Sequence, residues 1–362
     1  MKPKTKRNIS RIAPFGIIWL LVGWFVLFTQ EAAIGNVNVN PSSAISLTFE
    51  VFIFASVAVV LVGFMVGAIE MFWLRNLLKK KSFFKNIIYK MFFYMLFFLV
   101  LILLLYPIAA SIELDVSPLH SEVWQKFRNF LKSLDFYSTI VSLTFSLFLS
   151  LFYSEISENL GYGVLMNFFT GKYHKPTVEK RVFMFLDMKS STTIAEELGH
   201  IKYFELLKEY YSDFSNAIIQ HYGEVYQYVG DEIVISWEYK NGIAKNNCIQ
   251  CFFAMKDSLA KKEAWYARTF GVHPTFKAGM HYGEVTTGEI GALKKEIIFT
   301  GDVLNTTARI QSLCNEYGSD LLISAALNDE LQPNTNYKAS GVGNEVALRG
   351  KENSIELFAI TN

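Results

Sequence analysis

The sequence predicts an α+β chain, in which an α-helical four-span transmembrane domain precedes a ferredoxin-like domain of βαββαβ order. Two observations lead there. The N-terminal part of the 362-residue chain is dominated by Phe, Leu, Val and Ile, whereas the remainder has the mixed composition of a soluble domain. In that remainder, strand-like runs and helix-like runs alternate in the order β-α-β-β-α-β. The length suits two domains of about 100–200 residues each. The boundaries fall at 1–155 for the transmembrane domain, 156–180 for a cytoplasmic linker and 181–362 for the soluble domain.

Four stretches without a charged residue, 12–30, 51–69, 91–108 and 136–154, approach the roughly 20 residues of helix that cross a bilayer. The first follows Lys2, Lys4, Lys6 and Arg7, but its length and its lack of a small-residue cleavage site distinguish it from a signal peptide. Lys and Arg collect in the N-terminus and in the loop after the second stretch (Arg75, Lys79, Lys80, Lys81, Lys85), while 31–43 has neither. The positive-inside rule then places both termini in the cytoplasm of a multi-pass protein of the cell (inner) membrane, with the lipid bilayer as a partner. Glu50 and Glu70 flank the second span and are expected to be solvated at the interface. Between spans three and four, SPLHSEVWQKFRNFLKSL has apolar residues at helical spacing around Trp124. It predicts an extracytoplasmic helix on the membrane surface. The net charge of +1 gives no basic field that would draw nucleic acid.

Pro176, within the polar run 171–181, separates the two parts, and 155–169 is expected to continue the last span inward. A strand begins at Arg181 (RVFMFLD), then a helix is marked by Phe204, Leu207, Tyr211, Phe214 and Ile218. GEVYQYV and IVISW flank Gly230-Asp231-Glu232 as a hairpin with a tight turn. A helix over 243–259, a strand over 275–281, the stretch 285–290 and the run KKEIIFTGD follow. Asp302 caps a further helix through Arg309 to Asn315, ahead of a strand DLLIS. Cys248 and Cys251 form a CxxC pair without a second pair or a nearby His, so with Cys314 they read as core thiols in a reducing compartment.

Asp187 ends an apolar strand and Asp231 sits at a hairpin tip. If these strands are neighbours, both carboxylates reach one sheet edge, where a hard divalent cation would find oxygen ligands. The segment MKSSTT after Asp187 offers hydroxyls and backbone N–H groups at a helix start, an anion site. Singly, each Asp favours a structural reading, one as a turn residue and the other as a helix cap. Together with the phosphate cradle they suit two-metal phosphoryl chemistry.

FLDMKSST, YVGDEIV, GDVLNTTAR and LRGKE resemble, in order and spacing, the class III adenylate/guanylate cyclase catalytic domain over roughly residues 180–360. The resemblance implies that Asp187 and Asp231 bind two Mg²⁺ or Mn²⁺ ions per active site, with the Met188 carbonyl as a further ligand. It implies that Ser191 and Thr192 belong to the phosphate loop, that Asn305 and Arg309 form the transition-state pair, and that Lys351 contacts the terminal phosphates. Asn305 and Arg309 lie one turn apart on one helix face. A homodimer is implied too, each site taking its metal aspartates from one protomer and Asn305 with Arg309 from the other. The activity implied is conversion of ATP to 3′,5′-cyclic AMP and pyrophosphate.

Two positions depart from the family's purine-reading residues. Gln227, three before Gly230, replaces a Lys, and Ile298, three before Gly301, replaces an Asp or Thr. The Gln227 amide can bond a base edge and Ile298 cannot, while Thr300 lies close enough to substitute. Rival readings are a cyclase of GTP, of CTP or UTP in a defence system, and a silent nucleotide-binding receptor. A diguanylate cyclase is disfavoured, because Val229 stands where its signature needs a glycine.

Overall fold

The computed structural model describes residues 3–34, 40–74, 77, 83–160, 162–332, 337–346 and 354–362. The chain divides into two compact units, Thr5–Met166 and Asn167–Asn362.

The first unit is helical: α1 (Pro3–Ile34), α2 (Phe49–Ile69), α3 (Phe83–Leu114), α4 (Ser121–Phe130), α5 (Leu134–Leu160) and the start of α6 (Tyr162–Thr170). Four segments, Pro3–Ala32, Phe49–Leu74, Ile88–Leu114 and Leu134–Glu158, are long and apolar enough to cross a membrane. Gly63 and Gly67, one turn apart on α2, set the approach of α1. A Cβ at Gly63 would stand 2.8 Å from the Phe15 carbonyl oxygen and 3.0 Å from Trp19 Cβ. Small residues at this spacing let two backbones pack closely where lipid gives no hydrophobic drive. Phe15, Trp19, Val62, Val66, Tyr94, Phe98 and Leu147 form the core, and the Trp19 indole N–H donates to Ser150 Oγ over 2.9 Å.

Glu70 departs from its expected solvation. It opens a π-helical turn (Glu70–Leu74) that continues α2, and it is only 4% exposed. Its carboxylate accepts from Lys90 Nζ and, over 3.4 Å, from the Tyr94 hydroxyl. Sequence distance from the end of an apolar run does not say which helix face a residue occupies, and here the face is the one packed on α3. The helix predicted between spans three and four is present as α4, but its apolar side is covered by protein. Val123, Phe127 and Phe130 pack with Ile102, Tyr106 and Ala110 of α3. Lys126 of α4 pairs with Glu113.

In the second unit, α6 ends at Thr170, then come β1 (Thr177–Met188), α7 (Ser191–Gln220), β2 (Glu224–Val229), β3 (Glu232–Glu238), α8 (Tyr239–Ile243), α9 (Asn247–Ala260), α10 (Glu263–Phe270), β4 (Phe276–Ile290), β5 (Glu296–Thr300), α11 (Asp302–Ser312), β6 (Leu321–Ser324), α12 (Ala325–Glu330), β7 (Lys338–Val346) and β8 (Ile355–Thr361). The sheet order is β2-β3-β1-β4-β6-β8-β7, with β5 paired to β4. Its β4-β1-β3-β2 half is the ferredoxin-like arrangement that the sequence predicts, and β6, β8 and β7 extend it.

Strand β1 explains the apolar run RVFMFLD. Val182, Met184 and Leu186 face a core that includes Tyr210, Phe214, Phe252 and Phe276. Phe183 and Phe185 face the opposite side with Val234, Val285 and Val303. A strand covered on both faces has no polar alternation to show. By the same alternation Asp187 falls on the Phe183–Phe185 side, the side of α11.

Where the sequence suggests a strand over 275–281 and then a separate stretch over 285–290, β4 is a single strand, Phe276–Ile290. Gly283 lies between them, and α11 crosses so closely that a Cβ there would come 2.6 Å from Val303 Cγ2. Cys248 and Cys251 are fully buried in α9, and burial pushes both thiols up, Cys248 to about 12. They are core residues.

The buried Glu70–Lys90 pair makes a testable demand. Lys90→Met leaves a carboxylate without its cation and should destabilise the detergent-solubilised protein by about 3–5 kcal/mol. The Glu70→Gln, Lys90→Met double variant should recover most of that loss in thermal melting.

Candidate active site

Strand pairing builds the site. Asp187 of β1 lies opposite Glu232 of β3 on one side and Lys277 of β4 on the other. Asp231 sits in the two-residue turn between β2 and β3, next to Gly230 at φ +62°. A residue with a Cβ is strained in that left-handed conformation, so glycine suits the turn. Tyr211 of α7 holds the turn from outside, its hydroxyl lying 2.9 Å from the Gly230 carbonyl oxygen and 3.3 Å from that of Glu232. The two aspartates that the sequence singles out therefore come together at one end of the inner strands.

Their proximity is electrostatically costly. The Asp187 carboxyl is pushed up from its ordinary 3.8 to about 6, first by burial and then by the hydrogen bond and charge of Asp231. Two groups oppose this. Lys277 Nζ stands 3.6 Å from Asp187 Oδ2, and Gln311 Nε2 donates to the same oxygen over 3.3 Å. Burial and the charges of Asp187 and Asp231 also raise Glu232.

A cleft of about 300 Å³ opens beside the pair, lined by Asp187, Met188, Lys189, Ser190, Ser191, Thr192, Lys277 and Asn315. Ser190 precedes α7 in the left-handed conformation (φ 55°), and its side chain makes no capping bond. The first N–H groups of a helix have no partner within it. The start of α7, which includes Ser191 and Thr192, thus offers donors to an anion beside the carboxylates. Gly199, at φ +72°, breaks α7 and leaves residues 191–198 as a short leading helix. Lys189 is held by Asp320, which also binds Lys256 at 2.6 Å. That ion pair anchors the segment after Asp187 to the start of β6.

Asn305 and Arg309 project elsewhere. Both lie on α11, where Asn305 is exposed and Arg309 half-buried. Thr307 and Gln311 of the same helix are buried. At 100° per residue, Gln311 lies about 200° from Arg309. The face touching Asp187 is therefore not the face carrying Asn305 and Arg309. The structure does not bring the two halves of the predicted set together within one chain.

The predicted base-reading residues lie on β2 and β5. Gln227 is exposed, beyond a bulge at Tyr226. Ile298 is half-buried opposite Gly288, and Thr300 is exposed opposite Thr286, to whose carbonyl its hydroxyl donates over 3.3 Å. Phe299 between them turns to the other side, against Phe183 and Tyr226. Lys351 lies outside the described residues.

Sequence reasoning missed Gln311, Lys277, Tyr211 and Arg181. Arg181 is 2% exposed, bonded to Glu179, Glu224 and Ser236, and stacked 4.7 Å from the Phe299 ring centroid. Alternation along β1 puts it on the same side as Asp187, which was a usable signal.

Residues 174–362 match the family model for the Adenylate and Guanylate cyclase catalytic domain. "Adenylate cyclase 2" of Rhizobium meliloti is 32% identical over 211 residues, 58% of this chain and 58% of that protein. "Adenylate cyclase 1" of the same organism is 25% identical over 49% of this chain and 27% of its own length. The chain thus spans little more than half the length of the first relative and about a quarter of the second. Among solved structures, a bacterial light-regulated adenylyl cyclase covers 62% of this chain and 64% of its own, at 20% identity and a TM-score of 0.52, a likeness of fold. With the family model covering residues 174–362, this chain belongs to the adenylate and guanylate cyclase catalytic domain family.

Proposed function

We propose that this protein is a membrane-anchored nucleotide cyclase that converts ATP to 3′,5′-cyclic AMP and pyrophosphate with two divalent cations. The observation that carries the reading is the Asp187–Asp231 pair beside the start of α7. Two adjacent carboxylates, one of them raised by burial and by its neighbour, fit a hard cation. Carboxylate and carbonyl oxygens suit Mg²⁺ and Mn²⁺, and Mg²⁺ takes one or two carboxylates and completes its shell with phosphate oxygens and water. Asp187 and Asp231 would hold the ions, with the Met188 carbonyl as a further ligand. When bound, such ions lower the pKa of the ribose 3′-hydroxyl and neutralise the triphosphate.

The chain's own groups do the rest. The N–H groups and hydroxyls of Ser191 and Thr192 bind phosphate oxygens, and Lys351 takes the terminal phosphates. The 3′-oxygen attacks the α-phosphorus and pyrophosphate leaves. An Arg309 guanidinium matches the extra charge on the α-phosphate, and Asn305 orients the ribose. Since Asn305 and Arg309 face away from their own Asp187, a second copy supplies them, and a homodimer has two equivalent sites.

ATP is favoured because the two relatives compared above, at 32% and 25% identity, are named adenylate cyclases. A second reading, a cyclase of another base, draws on Ile298, whose side chain offers no hydrogen bond where the family reads the purine. In the membrane, residues 1–155 form the anchor, and the cytoplasmic linker that follows leads into the catalytic domain, whose first strand begins at Thr177. The Lys and Arg distribution puts both termini in the cytoplasm.

Three measurements test this reading. Detergent-solubilised protein incubated with Mn²⁺ and each of ATP, GTP, CTP and UTP should yield 3′,5′-cyclic AMP from ATP, identified by mass. Product from another nucleotide alone would replace the substrate, and no product from any would end the enzyme reading. Second, Asp187→Ala and Arg309→Ala should each cut turnover by at least about 10²-fold. Their co-expression should restore about a quarter of wild-type activity, because half the dimers are mixed and each has one complete site.

The third measurement concerns Asp187 without metal. A folded-state carboxyl raised to about 6 binds its proton more tightly than the unfolded chain does. Its contribution to stability is complete below pH 3.8 and is lost as pH rises through about 6. At pH 7.5 metal-free Asp187→Asn should therefore be more stable than metal-free wild type, by about 1–2 kcal/mol after solvent screening. Added Mn²⁺ should raise the melting temperature of the wild type alone.

A further inference from the structure

Helix α11 has two polar faces. One carries Asn305 and Arg309; the other carries Gln311, which is 7% exposed and donates its amide N–H to Asp187 Oδ2 over 3.3 Å. Gly279 of β4 makes that reach possible. A Cβ at Gly279 would stand 2.3 Å from Gln311 N, 2.7 Å from Gln311 Cα and 2.8 Å from the Thr307 carbonyl oxygen. The helix backbone thus rests directly on the strand, two residues along β4 from Lys277. The Asp187 oxygen that accepts from Gln311 is the one Lys277 approaches. Together the two side chains fix which way the carboxylate points.

Gln311 has no comparable role in the helix itself. Thr307, one turn earlier on the buried face, satisfies its hydroxyl on the Val303 carbonyl oxygen at 2.7 Å. Gln311 instead spends its amide on a charged group of another element. Hydrogen bonds to ionised groups are among the stronger ones in proteins. Groups that orient a metal-ligating side chain typically change metal affinity by about 10–100-fold.

We propose that Gln311 is a positioning residue for the metal carboxylate Asp187. Through it, each α11 joins the metal half of one active site to the transition-state half of the other. The proposal rests on the dimeric cyclase reading above. Its rival is a plain packing role, in which Gln311 only seats α11 on Gly279.

A mixed dimer of the full-length protein separates the two. One chain carries Asp187→Ala and the other Arg309→Ala, each with its own affinity tag, so that one complete site remains. Its Asp187 comes from the Arg309→Ala chain. Gln311→Met, similar in shape but without the N–H, is then placed in either chain. Beside the intact Asp187 it should raise the Mn²⁺ concentration for half-maximal rate by about tenfold. The rate at saturating Mn²⁺ should stay within about twofold of its value without the substitution. In the Asp187→Ala chain there is no carboxylate to hold, and the same substitution should shift neither quantity.

Equal effects from both chains, a fall in saturating rate alone, or no effect from either would overturn the proposal. If the mixed dimer is inactive before Gln311 is changed, the dimeric reading fails instead. Gln311→Met in the otherwise wild-type protein then decides by direct Mn²⁺ titration, followed by electron paramagnetic resonance. A tenfold weaker affinity supports the positioning role and an unchanged affinity rejects it.

Discussion

The central strand β1 is hydrogen-bonded on both edges, to β3 and to β4, and buried on both faces. Such a strand has no freedom to slip, because a shift of one residue would turn Phe183 and Phe185 into the space of Met184 and Leu186. That fixed register brings Asp187 level with Glu232 and so beside the turn carrying Asp231. It also sets Lys277 across from Asp187 and delivers the chain into the start of α7. Carboxylates, anion-binding helix start and countercharge all take their positions from one ladder.

A second constraint is the contact of α11 with β4. Gly279 and Gly283 remove the side chains that would hold helix and strand apart. Without that approach, Gln311 would not reach Asp187. The same contact directs Asn305 and Arg309 away from the face that meets Asp187. Close packing on one face of α11 and the exposure of Asn305 on the other are consequences of a single helix orientation.

The helical unit, with four segments long and apolar enough to cross a membrane, applies related physics. Gly63 and Gly67 bring α1 and α2 together through backbone proximity, a kind of contact that does not depend on a hydrophobic drive between helices. Several polar groups there are paired within the protein. Glu70 meets Lys90 and Tyr94, Lys126 meets Glu113, and Trp19 meets Ser150. An isolated charge in such surroundings is costly, and pairing reduces that cost.

The sequence by itself determined the order of elements, because hydrophobic periodicity and turn residues are local signals. Four apolar stretches, the β-α-β-β-α-β order and the tight turn at Gly230 were legible for that reason. So was the grouping of Asp187, Asp231 and MKSSTT, since motif order along the chain needs no coordinates. Only tertiary structure decided which faces these elements turn to one another. Glu70 was expected in water and is buried, because the rotation of α2 against α3 is a packing outcome. The break suggested within β4 vanished, because Gly283 marks a helix crossing and not a strand end. Gln311 and Arg181 carried no motif; their roles depend on partners more than 40 residues away in sequence, Asp187 and Glu224. The identity of the chemistry lay in local residue types, and the support that makes it work lay in contacts between distant ones.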